Sequence, residues 1–268
     1  MLRNKKPTDL LRNKFLWFPA KTLRNVVLRI LRIIRYRLGG FLRLSAKGAH
    51  VAEGRTAQGG AFSSRGVVQR GDGALTREQF LLREMRIVAR MRLSGYSDEE
   101  ILARAVRENV FQYPTTRQAR RAALACLARL DAMGAPLARI AAEGSSAQSA
   151  QANLYAMMLV YRLVRCFMLE EVAPRFASFD QVLSRADTGA FLERYQARFV
   201  EGGWSDATVS KLRGVLSSIL AGVGMRSSAL SGELNPVMVD PAVEEAVRAD
   251  GNAALLAAFD GRGVTEGV

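Results

Sequence analysis

Three helix-start signals, spaced about twenty residues apart, constrain this chain more than any other feature. Thr76-Arg-Glu-Gln79, Ser97-Asp-Glu-Glu100 and Thr115-Thr-Arg-Gln118 each place a hydroxyl three residues ahead of Glu or Gln. In that arrangement the hydroxyl accepts from a free N–H of the first turn, and the longer side chain reaches back to the cap's own N–H. Apolar stripes at helical spacing follow each signal: Leu81, Met85 and Val88; Ile101, Leu102, Ala105 and Val106; then Ala119, Ala122, Ala123, Cys126, Leu127 and Leu130. The chain reads as an all-α, short-loop helical array.

The pattern continues downstream. A fourth element follows Pro136, Gly144-Ser-Ser is a break, and helix resumes from Leu154 to Val172, ended by Pro174. Ser178 and Asp180 open a further stretch, and Asp187 or Thr188 caps the helix holding Phe191, Leu192 and Tyr195. Gly202-Gly203 is a stop, and Ser205 caps a longer helix whose stripe is Val209, Leu212, Leu216, Ile219 and Val223. No run of alternating strands is visible. Asn235-Pro236 to Val239 is the one candidate for a short strand or wing, and the last helical pieces fall at 241–249 and 252–259. The expected organisation is a basic extension and Gly/Ala/Ser-rich linker (1–61), two packed helical subdomains (62–143 and 147–262) and a tail (263–268).

Charge divides the chain sharply. The formal net charge is +14, yet residues 1–50 hold thirteen Lys/Arg against the single acid Asp9, a net of +12. The body is nearly neutral. Residues 20–38 read as a basic amphipathic helix, with Leu23, Val26, Val27, Ile30, Ile34 and Leu38 on one side and Arg24, Arg32 and Arg35 on another. Together with Phe15 to Phe18 this stretch suits anionic lipid, nucleic acid or a partner surface, and residues 10–38 are a candidate peripheral membrane contact. Arg29, Arg32, Arg35 and Arg37 interrupt it too often for a spanning helix. A cytoplasmic protein is expected.

Chemistry-bearing patterns are sparse. The lone His50 has no Cys or His neighbour, and Cys126 and Cys166 read as free thiols in apolar helices, so no metal site and no cofactor are expected. No GxxxxGK[ST] loop is present, and acyl transfer lacks its base. Glu170-Glu171 and Glu244-Glu245 diverge by about 100° around a helix, so they read as solvated faces rather than acid dyads. The expectation is a protein that is not an enzyme.

Two basic constellations in the body are more informative. Arg117, Arg120 and Arg121 occupy the first turns of a capped helix, away from its apolar stripe, where guanidinium groups and unpaired N–H groups suit phosphate oxygens. The second is Trp204-Ser-Asp-Ala-Thr208-Val-Ser210-Lys211-Leu-Arg213. With the preceding helix and the Gly-Gly turn it has the layout of a helix-turn-helix, or a winged variant, presenting Ser210, Lys211 and Arg213, with Arg226 just beyond. An αα-hairpin with polar residues has the same pattern.

At these residues the body resembles a known family. Phe62-Ser-Ser-Arg-Gly, Phe80-Leu-Leu-Arg-Glu-Met-Arg, Glu108-Asn-Val-Phe-Gln-Tyr-Pro and Arg117-Gln-Ala-Arg-Arg are followed by the Trp204 run, Ala221-Gly-Val-Gly-Met and Asn235-Pro. Their order and spacing, from about residue 62 to 262, resemble BrxA, the small helical protein of bacteriophage exclusion (BREX) defence systems. The resemblance implies an all-helical DNA-binding protein encoded with a phage-defence cluster, with other proteins of that cluster as partners and no enzymatic activity of its own. It carries over no catalytic residue. Residues 1–61 depart from the family pattern, as a lineage-specific extension or as sequence upstream of the true start. The leading expectation is therefore double-stranded DNA binding through Arg and Lys to phosphates. A membrane-surface or scaffolding role through residues 20–38 and an RNA-binding regulator are the alternatives.

Overall fold

A computed structural model of the chain describes residues 70–261. The basic extension with the helix expected at 20–38, the linker and the 263–268 tail lie outside the described residues. Within them the protein is built from helices: α1 (Leu82–Leu93), α2 (Asp98–Arg107), α3 (Thr116–Ala132), α4 (Ala135–Glu143), α5 (Ser146–Val160), α6 (Arg162–Phe167), α7 (Ala173–Ser178), α8 (Arg185–Phe199), α9 (Asp206–Gly222), α10 (Pro241–Ala249) and α11 (Ala257–Asp260). Short 3₁₀ turns at Asp72–Thr76 and Ala253–Leu256 flank the array.

The caps explain most starts. Ser97 and Glu100 close the reciprocal box at α2, and Thr115 accepts from the Gln118 N–H at α3. The Thr76 signal is different: Thr76 ends a 3₁₀ turn and donates to the Gly73 carbonyl. Helix α1 starts six residues later from Leu81, which sits in the left-handed region (φ 52°) with no side-chain cap. Leu81 can hold that conformation because the carbonyls of Glu78, Gln79 and Phe80 are all tied to the fully buried Arg129, at 2.7–2.8 Å. Tertiary hydrogen bonding here overrides the local signal.

Helix α5 is the centre of the fold. Every residue from Ser149 to Val160 is buried, the signature of a helix surrounded by others. Its polar residues are spent on backbone groups: Gln151 bonds the Met238 carbonyl and the Asp240 N–H, both at 2.9 Å, and Asn153 donates to the Phe80 carbonyl at 2.6 Å. Ser145 and Gln148 form its capping box, so the helix begins well before Leu154. It breaks at Tyr161, where the chain bends by 111°, and no single described helix is long and apolar enough to cross a membrane.

Pro174 does not end the helical run as expected. The preceding turn, Met168–Val172, is π-helical, and Pro174 sits in the first positions of α7, where its missing N–H is not required. A single apolar core runs from Leu75 to Phe259 through both halves. The core is continuous across the turn between α4 and α5.

Candidate nucleic-acid interface

Helices α8 and α9 and the chain that returns after them form one unit. Ser184 accepts from the Asp187 N–H and Asp187 accepts from the Ser184 N–H, which holds the Asp187 carboxyl below its usual range. The cap of α8 is thus Ser184. Asp187 is its third helical residue, and Thr188 is buried, bonding back to the Ser184 carbonyl. Gly202 and Gly203 both take positive φ (73° and 68°), the conformation glycine reaches at least cost. Gln196 accepts from the Trp204 N–H at 3.0 Å, and the Trp204 ring stacks on Tyr195, 5.9 Å away and 16° off parallel. Tyr195 donates to Asp72, whose other oxygen accepts from the Leu163 N–H, so the turn is tied to the body.

Ser205 caps α9, as its position suggests. The helix buries Leu212, Val215, Leu216, Ile219 and Leu220 and leaves Ala207, Ser210, Lys211 and Gly214 exposed. Its last residue, Gly222, lies on the Phe80 ring, where an added Cβ would sit 2.5 Å from Cδ1. Past Gly224 (φ 87°) the chain turns back and pairs with the segment just ahead of α8. Val182 and Glu233 form an antiparallel bridge, flanked by Leu183 N–H to Gly232 O and Leu234 N–H to Gln181 O, both 2.8 Å. The extended pairing therefore lies at 181–183 and 232–234. Val237, in the segment where a strand or wing was expected, donates to the Phe259 carbonyl instead.

Between α9, the start of α8 and the returning segment lies a cleft of about 430 Å³. Ser210, Lys211, Arg213 and Arg226 all line it, joined by Arg185 from the first turn of α8. None of the residues lining it is Asp or Glu. Arg226 is only 5% exposed, donating to the Leu183 carbonyl and, at 3.3 Å, to the Ser217 hydroxyl. It has no carboxylate partner among the described residues, and burial lowers its pKa. The half-buried Arg213 passes over Gly189 of α8, and its Nε, like that of Arg226, finds no partner among the described residues.

Arg117, Arg120 and Arg121 do not line the cleft. They lie at the start of α3, the first two exposed and the third half-buried. Of the acid pairs expected on solvated faces, Glu171 is instead buried and paired with Arg175 and Arg194, while Glu170 pairs with Arg198 and Glu244 with Arg248. The cleft residue missed from the sequence is Arg185. It directly follows the Ser184 cap, which lies three or four residues ahead of the Asp187 or Thr188 start that the sequence suggests.

The profile of the BrxA family matches residues 72–251. The chain belongs to the BrxA family. Within it, the match takes in α3, α8, α9 and the returning segment, hence both basic clusters. A protein of Bacillus cereus (strain H3081.97) described as BREX protein BrxA is 29% identical over 174 residues, covering 64% of this chain and 87% of that relative. The crystal structure of an uncharacterised protein from Magnetospirillum magneticum superposes with a TM-score of 0.62 at 24% identity, covering 71% of this chain and 98% of that one. That likeness shows a shared fold.

Proposed function

We propose that this BrxA-family protein is a non-enzymatic, cytoplasmic, double-stranded DNA-binding component of a BREX-type anti-phage defence system, acting with other BREX proteins. Family membership supports the defence role. The cationic, carboxylate-free cleft beside the exposed face of α9 is the observation that carries the DNA reading. In this reading α8, the Gly-Gly turn and α9 act as a helix-turn-helix, and the 181–183/232–234 pairing holds the returning segment beside α9 as a small wing. Ser210 and Lys211 lie along a groove, while Arg213, Arg226 and the separate Arg117–Arg121 cluster address phosphates.

Affinity that comes from phosphate contacts is steep in salt and weakly selective for sequence. Duplex binding measured across a salt series, for the full chain and for a chain lacking residues 1–61, is the test. Retained, salt-steep binding by the shortened chain is expected. No binding by it even at low salt overturns the proposal. Competition by structured RNA, or liposome co-sedimentation that depends on residues 10–38, would shift the assignment to the RNA or membrane alternative.

A further inference from the structure

We infer that the cleft is a discrete anion site that seats one phosphate group. The inference deepens the DNA-binding reading and rests on it only for where the phosphate comes from. Four cations from three stretches of chain converge on the cleft: Arg185, Lys211, Arg213 and Arg226. The carboxylate closest in sequence to Arg185 is committed elsewhere. Asp187 accepts from the Ser184 N–H and pairs with Arg175 at 3.6 Å.

The decisive group is Arg226. A guanidinium taken out of water without a counter-charge is costly, and its two hydrogen-bond acceptors here are neutral, a carbonyl and a hydroxyl. The buried Arg129 also lacks a carboxylate partner, but it does not line the cleft and is held by three backbone carbonyls, the Asn153 side-chain oxygen and the Tyr161 ring. The buried carboxylates are ion-paired or hydrogen-bonded. Glu78 is paired with Arg70, and Glu171 with Arg175 and Arg194. The Arg226 charge is matched by nothing among the described residues, and an anion in the cleft supplies the match. Arg226 lowers its pKa through burial, the same cost seen from the proton's side.

The chemistry favours a phosphate. Guanidinium forks bind phosphate oxygens in pairs, and a second arginine, Arg213, brings a polar N–H that no described residue satisfies. The exposed hydroxyl of Ser210 is available to a further oxygen. At Gly214 the helix wall has no side chain and nothing within 4 Å of where a Cβ would stand, so an esterified phosphate can approach the backbone. The cleft is larger than one phosphate and accommodates the atoms bonded to it.

Thermal unfolding and titration calorimetry of the full chain with inorganic phosphate, against chloride at equal ionic strength, test the site. The variants are Arg213→Gln and Ser210→Asp, the second placing a carboxylate at an exposed position on the rim. Phosphate is expected to stabilise the unsubstituted chain, with at least a threefold weaker affinity in both variants. The cations of residues 1–61 are common to all three proteins, so their contribution cancels. Equal phosphate affinity in all three overturns the inference, and Ser210→Asp decides alone if Arg213→Gln does not fold. A short duplex identifies the source. Binding about tenfold weaker in Ser210→Asp, with a salt slope reduced by about one, assigns the phosphate to the DNA backbone. Unchanged duplex binding beside a lost phosphate response assigns it to free phosphate or a phosphorylated small molecule. If the unsubstituted chain binds no duplex, the DNA reading fails while the phosphate result stands.

Discussion

A glycine midway along a 17-residue helix costs about 1 kcal/mol relative to alanine. At Gly214 no packing reason offsets that cost, because the space beside it is open. Gly214→Ala is therefore expected to raise stability by about 0.5–1 kcal/mol in urea unfolding while weakening duplex binding, a split that a purely structural glycine would not show. Arg129 is the opposite case. Its guanidinium is fully buried, satisfies the Glu78, Gln79 and Phe80 carbonyls, and faces the Tyr161 ring at 5.5 Å. Arg129→Met keeps much of the volume but strips those acceptors. It should cost about 3–5 kcal/mol in the same measurement, because buried carbonyls lose their donors.

At the scale of elements, caps with one pattern have different worth. Ser97→Ala removes half of a closed box and should cost about 1 kcal/mol of stability. Thr76→Ala removes only a hydroxyl bond to Gly73 at an exposed turn, and should stay within about 0.5 kcal/mol of the parent in a urea midpoint comparison. The sequence showed α2, α3, α9 and α10 clearly, because their starts rest on local hydrogen bonds. It misplaces the start of α1, where the deciding bonds come from far along the chain through Arg129, and that of α5, whose local Ser145–Gln148 box is followed by a polar stretch without an apolar stripe. The polar residues that made 146–153 look like loop are the ones the core helix uses to hold its neighbours. The site was legible in the same uneven way. Ser210, Lys211, Arg213 and Arg226 were found from one helix and its exit, but their convergence with Arg185 depends on the returning segment pairing ahead of α8, which no local pattern announces.

Over the whole molecule, buried neutral acids set a limit at high pH. Burial pushes the Cys126 thiol and the Tyr161 phenol up to about 12. Both ionise earlier in the unfolded chain, at about 9 and 10. A raised folded pKa contributes stability that is complete below the unfolded value and lost as pH rises through the folded one. The urea midpoint should hold steady up to pH about 9 and then fall progressively toward pH about 12. Cys126→Ala should soften the first part of that decline. A midpoint unchanged between pH 8 and pH 11 would contradict the burial of these groups.

Phe80 joins distant parts of the chain: its ring meets α9 at Gly222, while its carbonyl is held by Arg129 and Asn153. A backbone cut at the exposed turn around Gly144 and Ser145 would thus sever the peptide without separating the pieces. Each fragment alone would carry a raw apolar face and half a hydrogen-bond set. The two are expected to behave as complementing halves, unfolded apart and regaining helical circular dichroism on mixing, with duplex binding returning only in the mixture.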